Sequence, residues 1–115
     1  MQNKSQLLKG VLEGCILKIV KHKVETYGYE VVTEMRNLGF GQCNEGTIYP
    51  LLTRLEKKKS LKSQKKESPF GPQRKYYSLT EDGEKELIEF HDTWLEFKEF
   101  VDGVFKNYEG EDENE

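Results

Sequence analysis

From Leu87 to Val104 the residues Leu87, Phe90, Trp94, Phe97, Val101 and Val104 recur at spacings of three, four, three, four and three. This run constrains the fold most. Such spacing is a heptad-like seam along one α-helix, about five turns long. Ile88, Leu95, Phe100 and Phe105 broaden it. A chain of 115 residues cannot cover so wide an aromatic face with its own few elements, so a partner helix from a second copy is the expected acceptor. Thr80 stands before the run as an N-cap, and Glu81, Asp82 and Glu84 complement the helix dipole in the first turn.

Three shorter helical patterns precede it. Residues 6–20 place Leu8, Leu12, Cys15 and Ile19 at helical spacing, with Val11, Ile16 and Val20 widening the stripe. Tyr27 to Leu38 repeats the period through Val31, Met35 and Leu38, and Gly39 follows as a C-terminal cap. Asn44 then caps a third helix whose inward face is Ile48, Leu51, Leu52 and Leu55. Pro50 lacks a backbone donor, so the first turn is expected to be irregular. Leu61–Lys66 and Arg74–Leu79 read as two strands around SPFGPQ, a hairpin rimmed by Lys62, Lys65, Lys66, Arg74 and Lys75. Alternation should turn one of Tyr76 and Tyr77 into the core.

The overall charge of −3 conceals a division of the chain. Residues 1–78 hold 15 Lys and Arg against 7 Asp and Glu, a balance of +8, whereas residues 79–115 hold 3 against 14, a balance of −11. This asymmetry suggests a polyanion-binding part joined to an acidic part. Cys15 and Cys43 are too few for a disulfide framework, and with only His22 and His91 beside them no metal set is expected. One cysteine should be core and the other, Cys43, a loop thiol; it would be redox-active only with a lowered pKa. No apolar run suits a signal peptide or a spanning helix, so a cytoplasmic location is expected. No nucleophile has an identifiable base and orienting partner, no phosphate loop appears, and no cofactor or enzymatic activity is expected.

Three helices and a basic hairpin follow the order of a winged helix. The expected fold is therefore mainly α with a small β-hairpin: a winged helix-turn-helix at 1–79, a C-terminal dimerisation helix at 80–108 and a disordered acidic tail at 109–115. A helix fits the major groove, and basic groups on the wing can neutralise phosphates. The candidate DNA contacts are Asn44, Gly46, Thr47, Tyr49, Thr53, Arg54 and Lys57 on the third helix and Lys66, Arg74 and Lys75 on the wing. Against this, Asn44 could serve only as a cap, Arg54 could pair with a surface carboxylate, and the wing could be a solvated face. The candidate dimer interface is the seam from Leu87 to Val104.

The chain also resembles the PadR family of bacterial transcriptional regulators. The resemblance is carried by LLKGVLEGCIL near the N-terminus, YGYEVVTEM at 27–35, EGTIYPLLTRLEKK at 45–58, GPQRKYYSLTEDG at 71–83 and the Trp94 region. It implies a winged-helix homodimer that represses from a palindromic DNA operator, with release in many members by a small molecule or stress signal. With one C-terminal helix, the chain is similar to the family's short subgroup. Some short members use the corresponding helix as an aromatic platform, which makes Trp94 and Phe97 candidate contacts for a small aromatic effector. The alternative is a winged-helix adaptor that binds proteins and not specific DNA.

Overall fold

The computed structural model describes residues 2–69 and 71–109, with side chains from Val11 onward. The expected acidic tail lies outside these residues apart from Glu109, as does the side chain of Leu8. The elements are α1 (Gln2–Lys23), β1 (Thr26–Tyr27), α2 (Gly28–Asn37), α3 (Glu45–Lys57), β2 (Leu61–Ser68), β3 (Gly71–Leu79) and α4 (Glu81–Asn107). The three strands form an antiparallel sheet in the order β1-β3-β2. This is a winged helix followed by one long helix.

Apolar periodicity explains why the first three helices meet. Ile16, Leu17 and Val20 of α1, Val31, Val32 and Met35 of α2, and Ile48, Leu52 and Leu55 of α3 are all buried in one cluster. Leu61 and Tyr77 close it from the wing, and Leu87 from α4. Each such side chain contributes roughly 1.5–3 kcal/mol on burial. Tyr77 is the inward member of the tyrosine pair, and Tyr76 is half-buried.

Several details depart from the sequence reading. Leu38 is exposed, because it is the C-cap of α2. The Gly39 N–H donates to the Arg36 carbonyl and the Phe40 N–H to the Met35 carbonyl, with Gly39 at φ 120°. That pattern is a Schellman motif, which turns Leu38 outward and Phe40 onto the core. The wing strands run farther than expected, to Ser68 and from Gly71, with a register irregularity between Lys66 and Ser68. Pro72 is tolerated in β3 because β1 pairs only with Tyr76 and Tyr77, leaving a free edge beside the proline. β1 itself was not foreseen.

A junction around Ser60 joins α3, the wing and α4. Lys59 adopts a left-handed φ of 69°, and the Ser60 N–H donates back to the Leu55 carbonyl at 2.9 Å. The Ser60 carbonyl accepts from the Thr80 N–H at 3.1 Å and from Thr80 Oγ1 at 3.0 Å. Ser60 Oγ donates to Glu86 at 2.6 Å, and Lys58 Nζ donates to the other oxygen of that carboxylate at 3.1 Å. Thr80 caps α4 as expected by accepting from the Gly83 N–H at 2.9 Å. Gly83 lies so near that an added Cβ would stand 2.1 Å from the Ser60 carbonyl oxygen.

Replacing Thr80 by Ala should cost about 1 kcal/mol, the usual worth of an N-cap. Gly83→Ala should cost more, roughly 1–3 kcal/mol or beyond, because its obstacle is backbone and cannot swing away. Urea midpoints decide the matter. A Gly83→Ala chain at least as stable as Thr80→Ala would mean that α4 can leave Ser60 freely.

Candidate nucleic-acid interface

The third helix is set by its cap and by one buried stripe. Asn44 Oδ1 accepts from the Thr47 N–H at 3.1 Å and from Thr47 Oγ1 at 3.3 Å. With Ile48, Leu52 and Leu55 turned inward, Gly46, Thr47, Tyr49, Thr53, Arg54 and Lys57 are left exposed. The expected irregular first turn is not found, since α3 is helical from Glu45 through Pro50. Pro50 leaves the Gly46 carbonyl without its helical donor at an exposed position, where water can serve instead.

The wing sets its cations by aromatic rings and carboxylates. The Arg74 guanidinium lies 4.3 Å from the Tyr27 ring centroid, and Lys66 lies 5.5 Å from that of Tyr76. Tyr27 and Tyr76 are partners in the sheet and meet edge to face at 5.4 Å. Lys66 also pairs with Glu25, and Lys75 pairs with Glu56 at 2.7 Å. Ser63 donates a further hydrogen bond to Glu56. The bonds from Lys75 and Ser63 hold the Glu56 carboxyl below its ordinary pKa, and Glu56 raises that of Lys75 in return. Burial, followed by the charge of Glu45, raises the Tyr49 hydroxyl.

Tyr49, Thr53, Arg74 and Lys75 share one cleft of about 430 Å³ between α3 and the wing. Asn44, Gly46, Thr47, Arg54, Lys57 and Lys66 stand outside its lining. Arg54 makes a 3.4 Å ion pair with Glu13 yet stays 67% exposed. Tyr27, Gly28 and Tyr29 also line the cleft. Sequence reading assigned them to the start of a helix. Their only signal was the aromatic pair around a glycine, YGY.

The C-terminal candidates divide. Leu87 is buried in the chain's own core, and Phe90 rests against Gly14 of α1, where an added Cβ would meet its ring at 2.3 Å. Trp94, Phe97, Val101 and Val104 remain between 40% and 61% exposed. Trp94 stands with Val11, Cys15, Phe90 and His91 at an apolar cleft of about 680 Å³, whose lining does not include Phe97. Cys43 lies in the loop between α2 and α3 as expected but is buried there, while Cys15 is only partly buried against the core. Burial raises the Cys43 pKa against the weaker opposing charge of Arg36, the reverse of what an activated thiol requires. Among the described residues, no group of three potential ligands could hold a metal ion. None of their helices is long and apolar enough to cross a membrane.

A family model described as the transcriptional regulator PadR-like family matches residues 16–89. A Streptococcus transcriptional regulator of known crystal structure is 46% identical, with a TM-score of 0.77 over 86% of this chain and 96% of its own. A PadR-like transcriptional regulator from Bacillus cereus is 45% identical, also with a TM-score of 0.77, over 87% and 96%. An uncharacterized protein of Lysinibacillus sphaericus is 35% identical over 101 residues, which are 86% of this chain and 92% of that one.

The depressed pKa of Glu56 gives a signed expectation. A carboxyl held below its unfolded value contributes stability that is present above that value, near 4.5, and is lost as pH falls through the lower folded value. Glu56→Gln should therefore be less stable than the parent chain at about pH 7, and the difference should shrink as pH falls below the ordinary carboxylate range. Urea midpoints across pH check this; a constant difference would mean that the Lys75 and Ser63 bonds contribute nothing specific to the ionised form.

Proposed function

The chain belongs to the PadR-like family of transcriptional regulators, and on that premise we propose a homodimeric repressor that binds a palindromic operator and is released by a small aromatic molecule. As a member of this family it is a DNA-binding regulator and not an enzyme. The observation that carries the finer reading is the convergence of Tyr49 and Thr53 from α3 with Arg74 and Lys75 from β3 on one cleft. Residues 1–79 serve as the DNA-binding domain. The exposed outer face of α3, from Asn44 to Lys57, enters the major groove, and Lys66, Arg74 and Lys75 neutralise backbone phosphates.

Dimerisation falls to 80–108, through the face bearing Phe90, Trp94, Phe97, Val101 and Val104, with Leu87 retained inside each subunit. Four of these side chains are large, apolar and exposed along α4, a liability that a second copy removes. The two recognition helices would then address half-sites about 34 Å apart. For the effector, the apolar cleft beside Trp94 supports a flat apolar ligand, while Phe97 acts at the interface alone.

Selection from random duplexes at low salt should recover an inverted repeat. Arg74→Ala with Lys75→Ala should weaken binding to all sequences and flatten the salt dependence, whereas changes at Thr53 or Arg54 should alter sequence preference. No enriched duplex would remove the operator reading and favour the adaptor.

Trp94 links the remaining two claims. Trp94→Glu should convert the dimer to monomer by sedimentation, because a charge would be buried without a partner. In the parent dimer, planar aromatic compounds should quench the single tryptophan saturably and release operator DNA together. A dimeric Trp94→Glu chain would place the interface elsewhere, and quenching without release would leave Trp94 a platform with no regulatory role.

A further inference from the structure

The cleft between α3 and the wing has two members that contribute position and no charge. Tyr27 ends β1 and Gly28 begins α2, so together they form the bend at which the chain passes from sheet to helix. The Tyr27 ring lies under the Arg74 guanidinium at 4.3 Å. The same ring meets the Tyr76 ring edge to face at 5.4 Å with planes 68° apart, and Tyr27 and Tyr76 are paired in the sheet. A ring so held offers the cation one negative face, which restricts a long side chain that would otherwise sample many rotamers. No ion pair accompanies Arg74 among the described residues, in contrast to Lys66 and Lys75, so this ring is its principal restraint.

Gly28 acts on the other wall. A Cβ added there would stand 2.5 Å from Tyr49 Cε1 and 3.0 Å from Tyr49 Cζ. The tyrosine ring therefore lies directly against the bare Cα of Gly28. Gly28 is not among the residues with positive φ, so its backbone would accept alanine. What forbids the methyl group is the seat of Tyr49. Tyr49 is 42% exposed and could swing outward, which would relieve the clash without unfolding the chain.

From this arrangement we infer that Tyr27 and Gly28 are positioning residues for DNA binding, the first aiming Arg74 and the second seating Tyr49 so that both address the duplex from one cleft. The inference rests on the DNA-binding reading above and adds two residues to it. Neither needs to touch the duplex. An oriented guanidinium loses less freedom when it meets a phosphate than a free one does, and the same holds for a seated phenol.

The test uses the full-length dimer and a labelled random-sequence duplex at low salt. Tyr27→Leu should weaken binding about two- to fivefold per subunit, the worth of one exposed cation–aromatic contact, while Tyr27→Phe, which keeps the ring, should bind as the parent does. In an Arg74→Ala background Tyr27→Leu should have no further effect, and in a Tyr49→Ala background neither should Gly28→Ala. These cycles separate aiming from general damage, which would persist in both backgrounds. Overturning results are parent-like binding by Tyr27→Leu and Gly28→Ala, equal losses from Tyr27→Phe and Tyr27→Leu, or losses that simply add to those of Arg74→Ala and Tyr49→Ala. If the parent dimer bound no duplex at all, the DNA-binding reading itself would fail and this inference with it.

Discussion

The hydrogen bonds around Ser60 hold the molecule's working parts in one frame. Its N–H closes the end of α3, its carbonyl receives the Thr80 N–H and shares the Thr80 hydroxyl with the Lys59 carbonyl, and its own hydroxyl reaches Glu86 farther along α4. Ser60 is only 2% exposed, so each of these groups would be costly to leave unpaired. The methyl-free surface of Gly83 lets α4 approach close enough for the set to form. As a result, α3, the first residue of the wing and the first turn of α4 cannot be reoriented separately without exposing a buried donor or acceptor.

The same frame explains which features were legible in the sequence. Asn44 and Thr80 could be read as caps because a cap is satisfied within three residues, and the inward stripe of α3 followed from periodicity alone. Features decided by distant neighbours were not legible. β1 is two residues long, too short to show alternation, and exists because β3 lies beside it. Leu38 fits the helical period, but the Schellman turn carries it into solvent and brings Phe40 onto the core instead. Leu87 and Phe90 fit the seam equally well, yet α1 passes near enough to bury one and cover the other. Tyr27 and Gly28 resembled a helix start because nothing local reveals that an arginine 47 positions later and a tyrosine 21 positions later will lie against them.

Electrostatics on the basic half of the chain, residues 1–78, has a particular character. Its +8 balance is not a free field of cations, because Lys66, Lys75 and Arg54 each face a carboxylate of the same chain. Exposed pairs of this kind contribute about 1 kcal/mol or less, so they stabilise the fold little. Their effect is on geometry: the ammonium groups are held near the wing surface and can exchange a carboxylate for a phosphate at small cost. Arg74 is held by a neutral ring, so no carboxylate has to be displaced from it. Of the three wing cations proposed to meet phosphate, Lys66, Arg74 and Lys75, it is therefore the one with no carboxylate partner among the described residues.

A switch of the kind proposed would act through α4, since that helix carries the exposed aromatic face and, with α1, lines the apolar cleft beside Trp94. Phe90 against Gly14 and Glu86 against Ser60 anchor its first half to the winged helix, whereas residues 91–109 are exposed within the single chain. If two copies pair along that outer half, the angle between them fixes the relation of the two winged helices as rigid bodies. A ligand that binds one angle more tightly than another shifts the pair, and a ligand indifferent to the angle shifts nothing. Because Ser60 is bonded both to the end of α3 and to α4, a rotation of α4 would bear on α3 through these bonds. On the proposed reading of a dimer on a palindromic operator, a small displacement at Trp94 would misalign half-sites about 34 Å apart without any change inside either winged helix.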